Sequence, residues 1–313
     1  MGTGEIALPS LRWLIEAQKS HDFEVVGVYT QPDKPVGRRQ ILTPPEVKEI
    51  ALSSDIPVFQ PESFRKDPGA LDNFATLKPD LAVVMAYGQI LPKALLETPR
   101  RACVNLHASL LPRHRGASPI QAAIRDGDEE TGITLMHVAP KLDAGDMILK
   151  ETIPIRPHET GGSLHDRLAE LGPIILEQGL PLFSSEDVPR EEQVEADATY
   201  SGKLDRADGH LDWSQNAESL ERLIRAYDPW PGTYSMIPFP EGPKKLKIFP
   251  QTSVEEGAAS TPGQITVEDI TLLVGCGDKN LRLQGEVQIE GKKRLPIRDW
   301  LRGVSLPSDM ILK

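Results

Sequence analysis

Short apolar runs separated by helix-like segments fill the first half of the chain. Leu11, Leu14, Ile15 and Gln18 fall on one face at helical spacing, which predicts a helix over residues 8–18. Residues 24–30, 81–87, 102–107 and 131–138 are apolar with little alternation, the pattern of strands buried on both faces of a sheet. Thr43-Pro44 carries N-cap and first-turn chemistry for a helix over 44–52. Ser118-Pro119 opens another over 120–126, which Gly127 closes. Strands alternating with helices predict an α/β fold with a Rossmann-like, doubly wound parallel sheet.

The texture then changes. Residues 163–171 read as a capped helix stopped at Gly172, with a second helix running to about Phe183. The stretch 184–194 is acidic, polar and proline-containing, as linkers are. An amphipathic helix over 218–227 precedes the turn Asp228-Pro229-Trp230-Pro231-Gly232. Short strand-like runs follow at 245–249, 264–267, 271–274, 281–284 and 286–290, which predicts a small OB-like β-barrel. The expected division is a doubly wound domain over 1–185, a linker over 186–205 and a barrel over 206–313.

Composition adds constraints. Of 313 residues, 39% are hydrophobic and 26% charged, an ordinary globular balance. No apolar run reaches the roughly 18 residues that span a bilayer, and the N-terminus has no leader-like pattern. Cys103 and Cys276 lie far apart in strand-like runs, so reduced thiols and a cytoplasmic location are expected. The histidines show no metal-ligand spacing, and no metal is expected. A net charge of −11 argues on average against a nucleic-acid partner. That imbalance sits in residues 1–205, with 21 basic and 31 acidic side chains, whereas 206–313 carries 14 and 15. The clusters Lys244-Lys245-Lys247 and Lys292-Lys293-Arg294 read either as solvated hairpin tips or as a phosphate-contacting face.

Asn105 and His107 stand two apart on one strand-like run, so their side chains share a face. The run ends at once in Ser109-Leu110-Leu111-Pro112, and ligands bind at such carboxyl ends in open α/β sheets. Asp143 follows the next strand, in the loop Leu142-Asp143-Ala144-Gly145-Asp146. Acyl transfer to an amine needs a donor for a developing oxyanion, which an Asn amide supplies. It also needs an acceptor or relay for the amine proton, the usual work of His, and a carboxylate orients that imidazole. Spacing alone leaves open that His107 is a packing residue and Asp143-Ala144-Gly145 a turn. There is no Walker loop and no G-x-G-x-x-G after a strand, which disfavours nicotinamide and nucleotide-hydrolysing chemistry.

With these residues in place, the chain resembles the formyltetrahydrofolate-dependent formyltransferases. The likeness rests on Asn105-Leu106-His107-Ala108-Ser109-Leu110-Leu111-Pro112-Arg113, on Gly116-Ala117-Ser118-Pro119-Ile120-Gln121, and on residues 132–146. It implies that Asn105, His107 and Asp143 are catalytic and that 10-formyltetrahydrofolate is the co-substrate. Ser109, Leu110, Leu111 and Pro112 would line the folate site, beside Met85, Tyr87 and Gly88 at a strand end. Within the family, the loop Gln31-Pro32-Asp33-Lys34-Pro35-Val36-Gly37-Arg38 resembles that of the branch acting on methionyl-initiator tRNA. Thr199-Tyr200-Ser201-Gly202-Lys203-Leu204 and Leu211-Asp212-Trp213 resemble the same branch. Arg38 and Lys34, with Lys244 and Lys245, would then contact tRNA, and the protein would act as a monomer. A formyltransferase for a nucleotide-linked amino sugar, or a non-catalytic RNA-binding relative, are the alternatives. The Asp228–Gly232 turn is common to the tRNA and sugar branches.

The chain departs from the family pattern at its start. Met1-Gly2-Thr3-Gly4-Glu5-Ile6 begins at the loop that normally follows a first apolar strand. The expectation is therefore a sheet lacking that strand, with two exposed edges, and a coding sequence that starts upstream of Met1. Gly4 and Ile6 replace the usual proline and aromatic residue, which points to an altered amino-acid pocket. Gln40-Ile41 stand where the family often carries lysine.

Overall fold

The computed structural model describes residues 1–37, 39–185, 188–307 and 310–313. In chain order the first elements are α1 (Leu8–Ala17), β1 (Val28–Tyr29), β2 (Lys34–Val36), β3 (Ile41–Thr43), α2 (Glu46–Ser53), β4 (Val58–Phe59), α3 (Pro68–Thr76), β5 (Leu81–Val84) and α4 (Lys93–Leu96). Then come β6 (Ala102–His107), β7 (Arg115–Gly116), α5 (Pro119–Asp126), β8 (Glu130–His137), β9 (Met147–Pro154), α6 (Gly161–Ala169) and α7 (Leu171–Gly179). The remainder comprises β10 (Tyr200–Ser201), α8 (Ala217–Ala226), β11 (Thr233–Ile237), β12 (Lys244–Ile248), β13 (Thr252–Glu255), β14 (Ile265–Glu268), β15 (Thr271–Gly275), β16 (Asn280–Leu283), β17 (Glu286–Ile289), β18 (Leu295–Pro296) and α9 (Ile297–Leu301). Two units emerge: residues 1–116, 131–153 and 165–201, and residues 117–130, 154–164 and 202–313.

The first unit is built on a sheet of order β5-β6-β8-β9. β5 and β6 run parallel, whereas β6 and β8 run antiparallel with His107 opposite Thr134. The predicted parallel sheet is thus corrected to a mixed one. An apolar run buried on both faces has the same composition in either direction, so its residues carry no signal of orientation. β8 is buried continuously from Thr131 to His137, as a strand covered on both faces must be.

Helices α1 and α7 pack together in this unit. Their approach is so close that a Cβ on Gly172 would lie 2.0 Å from Oγ of Ser10. Gly172 therefore sits inside α7 rather than at the predicted stop, and the break between α6 and α7 falls at Glu170. The helix predicted from Thr43-Pro44 begins instead at Glu46. Pro44 precedes a second proline, whose ring disfavours helical backbone in the residue before it. Thr43 ends β3 and donates its hydroxyl to the carbonyl of Ile41.

The run at 24–30 contributes only Val28–Tyr29 as paired strand, parallel to β4. On the other side of β1, Gly2 donates its N–H to Tyr29 O at 2.9 Å and bridges to Met85. The Met1 amine donates to Val83 O at 2.7 Å, and Met85 N–H donates to Met1 O at 2.9 Å. Met1 and Gly2 thus lie between β1 and β5, satisfying backbone groups on both facing edges.

In the second unit, α8 packs on α5. Asn216 caps α8, its Oδ1 accepting from Ser219 N–H at 2.7 Å. Two antiparallel four-stranded sheets follow, of order β11-β12-β17-β18 and β13-β16-β15-β14. Leu211, Trp213, Leu220, Leu246, Leu272 and Leu281 belong to their shared core. β11 and β13 were not predicted. Each interleaves apolar with polar residues over a few positions, too little pattern to separate from loop. Lys244, Lys245 and Lys247 lie within β12 and not at a hairpin tip, whereas Lys292 and Lys293 do stand in the β17–β18 connection.

Candidate active site

β6 carries Asn105, half-buried, and His107, 6% exposed, on the same face as predicted. The chain beyond it is pinned to β8 through one hydroxyl. Thr134 Oγ1 donates to Ser109 O at 2.7 Å and accepts from Leu111 N–H at 3.1 Å. Ser109 Oγ in turn donates to Arg113 O at 2.7 Å. These bonds tie the buried turn to β8 and to itself, which makes it a firm support for the residues it displays.

Nε2 of His107 lies 2.9 Å from the carbonyl oxygen of His114. A carbonyl only accepts, so Nε2 carries the proton and the neutral ring presents a lone pair at Nδ1. That nitrogen faces Oδ2 of Asp143 at 3.7 Å, beyond hydrogen-bond range but close for an ion pair. Oδ2 also accepts the backbone N–H of Gly116 at 2.8 Å. An imidazole with one nitrogen tied down and the other free beside a carboxylate can take a proton and have the resulting charge balanced.

Asp143 has left-handed backbone, φ +48, a conformation that needs outside support in a residue with a Cβ. Gln193, 7% exposed, supplies it: Nε2 donates to Asp143 O at 2.9 Å and to Gly145 O at 2.8 Å. Oε1 of Gln193 accepts from Arg115 Nε at 3.0 Å. Arg115 is itself 1% exposed and donates through Nη1 to Glu195 Oε2 at 2.9 Å and to the Tyr200 hydroxyl at 3.0 Å. Glu195 also pairs with Lys141 at 2.6 Å. Hydrogen bonds from Lys141 and then Arg115 hold the Glu195 carboxyl down to about 2, so it stays charged throughout the neutral range.

The other predicted site residues are placed unevenly. Ser109 is fully buried with its hydroxyl engaged, and Leu111 packs with Met136 and Met147. Leu110 and Pro112 are half-buried. Met85 and the Tyr87 ring are core residues, while Gly88 turns with φ +78. Leu142, next to Asp143, is 62% exposed. Lys34 is exposed in the β2–β3 hairpin, and Arg38 lies outside the described residues. Lys245 Nζ sits 3.7 Å from the centroid of the Tyr234 ring and Lys244 Nζ 5.3 Å from that of Phe239. Sequence reasoning missed the His114 carbonyl, the Gly116 N–H, Arg115 and Gln193. The first three sit just beyond or at the edge of the quoted motifs, but Gln193 falls in the stretch read as linker. Both cysteines are buried, and burial pushes each thiol up to about 12.

Two family models match the chain: formyl transferase over residues 8–180 and formyl transferase, C-terminal domain, over residues 203–305. The methionyl-tRNA formyltransferase of Akkermansia muciniphila is 47% identical over 305 residues, covering 97% of this chain and 95% of that protein. That of Marinobacter nauticus is 44% identical over 303 residues, covering 96% and 94%. Among solved structures, the sugar 3N-formyl transferase WlaRD aligns with a TM-score of 0.65 at 16% identity, covering 93% of this chain and 97% of its own. HypX from Aquifex aeolicus, solved with tetrahydrofolic acid, aligns with a TM-score of 0.55 at 22% identity, covering 82% and 43%. These two structural likenesses concern the fold alone. A mixed α/β unit with an amide, an imidazole and a carboxylate at a strand's carboxyl end suits transfer of an acyl group to an amine. The chain belongs to the formyl transferase family.

Proposed function

We propose that the chain transfers a formyl group from 10-formyltetrahydrofolate to the α-amino group of methionyl-initiator tRNA. The observation that carries this reading of the site is His107, with Nε2 committed to the His114 carbonyl and Nδ1 facing Asp143. For the acceptor, the support is the 47% identity to a methionyl-tRNA formyltransferase across 97% of the chain, both family regions included.

Bound 10-formyltetrahydrofolate supplies the formyl carbon. Asn105, whose side-chain amide has no hydrogen-bond partner among the described residues, holds an N–H donor ready for an oxyanion. Nδ1 of His107 takes the proton the attacking amine gives up, Asp143 balances the imidazolium, and the proton passes to N10 as the formyl C–N10 bond breaks and tetrahydrofolate leaves. The residues around this trio suit a flat heterocycle. Exposed Leu142 and half-buried Leu110 and Pro112 provide apolar surface, and Gly88 leaves the strand end without a side chain. Ser109, Leu111, Met85 and Tyr87 contribute by shaping that wall from behind. Lys34 and Arg38, from the loop over residues 31–38, with Lys244 and Lys245 on β12, are read as tRNA contacts. Residues 1–185 then form the catalytic domain and 206–313 an OB-like tRNA-binding barrel, joined by 186–205, in a cytoplasmic monomer.

The test is formylation with 10-formyltetrahydrofolate and charged initiator tRNA, with a UDP-linked amino sugar in parallel. Formylated tRNA and no formylated sugar is expected; the reverse result overturns the acceptor assignment.

A further inference from the structure

We infer that Gln193 is a positioning residue for formyl transfer, acting through Asp143, and that the segment 193–201 belongs to the catalytic apparatus although it lies outside both matched family regions. The inference rests on the formyl-transfer reading above.

Three observations carry it. All of the hydrogen-bonding capacity that Gln193 commits to protein runs between the Asp143 loop and Arg115: two N–H donors to Asp143 O and Gly145 O, and one acceptor for Arg115 Nε. The same segment grips the carboxylate from its other side. Arg115 N–H donates to Thr199 O at 2.9 Å, and β7 pairs in parallel with β10, so that Ser201 backs Gly116. Gly116 N–H then donates to Oδ2 of Asp143. Finally, Glu195 links Arg115 to Lys141, two residues before Asp143, so the loop is tied on both flanks.

The carboxylate's place opposite Nδ1 of His107 is thus set partly by backbone on a left-handed residue, whose carbonyl the Gln193 amide holds. Without the two donors, the carbonyls of Asp143 and Gly145 lose their buried partner and the loop can relax. The His107–Asp143 separation is 3.7 Å, and a relaxed loop can turn the carboxylate away from Nδ1.

Gln193→Met keeps length and apolar volume but removes donors and acceptor. Gln193→Glu keeps an acceptor for Arg115, removes both donors and adds a charge that Arg115 can pair. Both are measured in the full chain with charged initiator tRNA and 10-formyltetrahydrofolate. Each is expected to lower kcat by about 10- to 100-fold with both KM values within about twofold, the mark of misplacement rather than lost binding. In an Asp143→Ala background the same substitutions are expected to cost less than about twofold, because the group being positioned is gone. Should one variant fail to fold, the other carries the test. A kcat within about threefold of the parent for a folded variant overturns the proposal, as does an undiminished loss in the Asp143→Ala background. If the parent chain itself formylates no tRNA, it is the functional reading that fails.

Discussion

The backbone N–H of Gly116 and the imidazole of His107 share one oxygen: Oδ2 of Asp143, at 2.8 Å from the first and 3.7 Å from the second. Gly116 can reach it only because β7 lies hard against β10. A Cβ on Gly116 would stand 2.2 Å from the carbonyl oxygen of Ser201, and its φ of +115 belongs to glycine. Gly116→Ala must therefore push the two strands apart and withdraw the donor. A stability loss of about 1–3 kcal/mol in urea unfolding is expected from overpacking, together with a clear fall in kcat.

The trio itself separates into different losses. His107→Ala removes the proton acceptor, and kcat is expected to fall by about 10²–10⁴. Asp143→Asn keeps an oxygen for Gly116 N–H and deletes only the charge, so a fall of similar order with unchanged stability identifies electrostatics as the cause. Asn105→Ala removes an oxyanion donor and is expected to cost about 10²–10³ in kcat. Near-normal turnover in all three would refute the assignment, provided circular dichroism and unfolding midpoints match the parent.

How much of this was legible depends on what kind of group does the work. Asn105 and His107 were visible because period-two spacing places two functional side chains on one face, and side-chain identity is what a sequence records. The partners that fix them are mostly backbone: the His114 carbonyl and the Gly116 N–H have no letter of their own. Gln193 does, but it stands 50 residues from Asp143 in a polar stretch, where nothing local signals a buried amide. Likewise, α2 could be located but not started correctly until Pro45 was weighed against Pro44. The direction of β8 lies in the connection that precedes it, not in its apolar residues.

On the second unit, Lys245 and Lys247 point to the same side of β12, with Tyr234 beneath the Lys245 ammonium. If this face meets the tRNA backbone, Lys245→Ala raises KM for tRNA while leaving kcat and KM for the folate unchanged. The salt dependence of tRNA binding should lose about one unit of slope in log–log form per lysine removed. An unchanged slope in the double Lys245→Ala, Lys247→Ala variant would take this face out of the tRNA site.

Acid should act on the first unit through His137. This residue is 8% exposed, and its Nε2 has no partner among the described residues. Burial, and next the Arg190 guanidinium, push its imidazole below the ordinary value. The folded state then binds this proton more weakly than the unfolded chain, so stability rises with pH across the interval between the two values. The contribution is fully present above the unfolded value of about 6.5 and is lost as pH falls through the folded one. His137→Leu removes the titration. Its Tm is expected to decline less steeply than the parent's as pH drops from about 7 to 5, measured by thermal unfolding at fixed ionic strength. Parallel declines would mean that His137 charges at no cost to the fold.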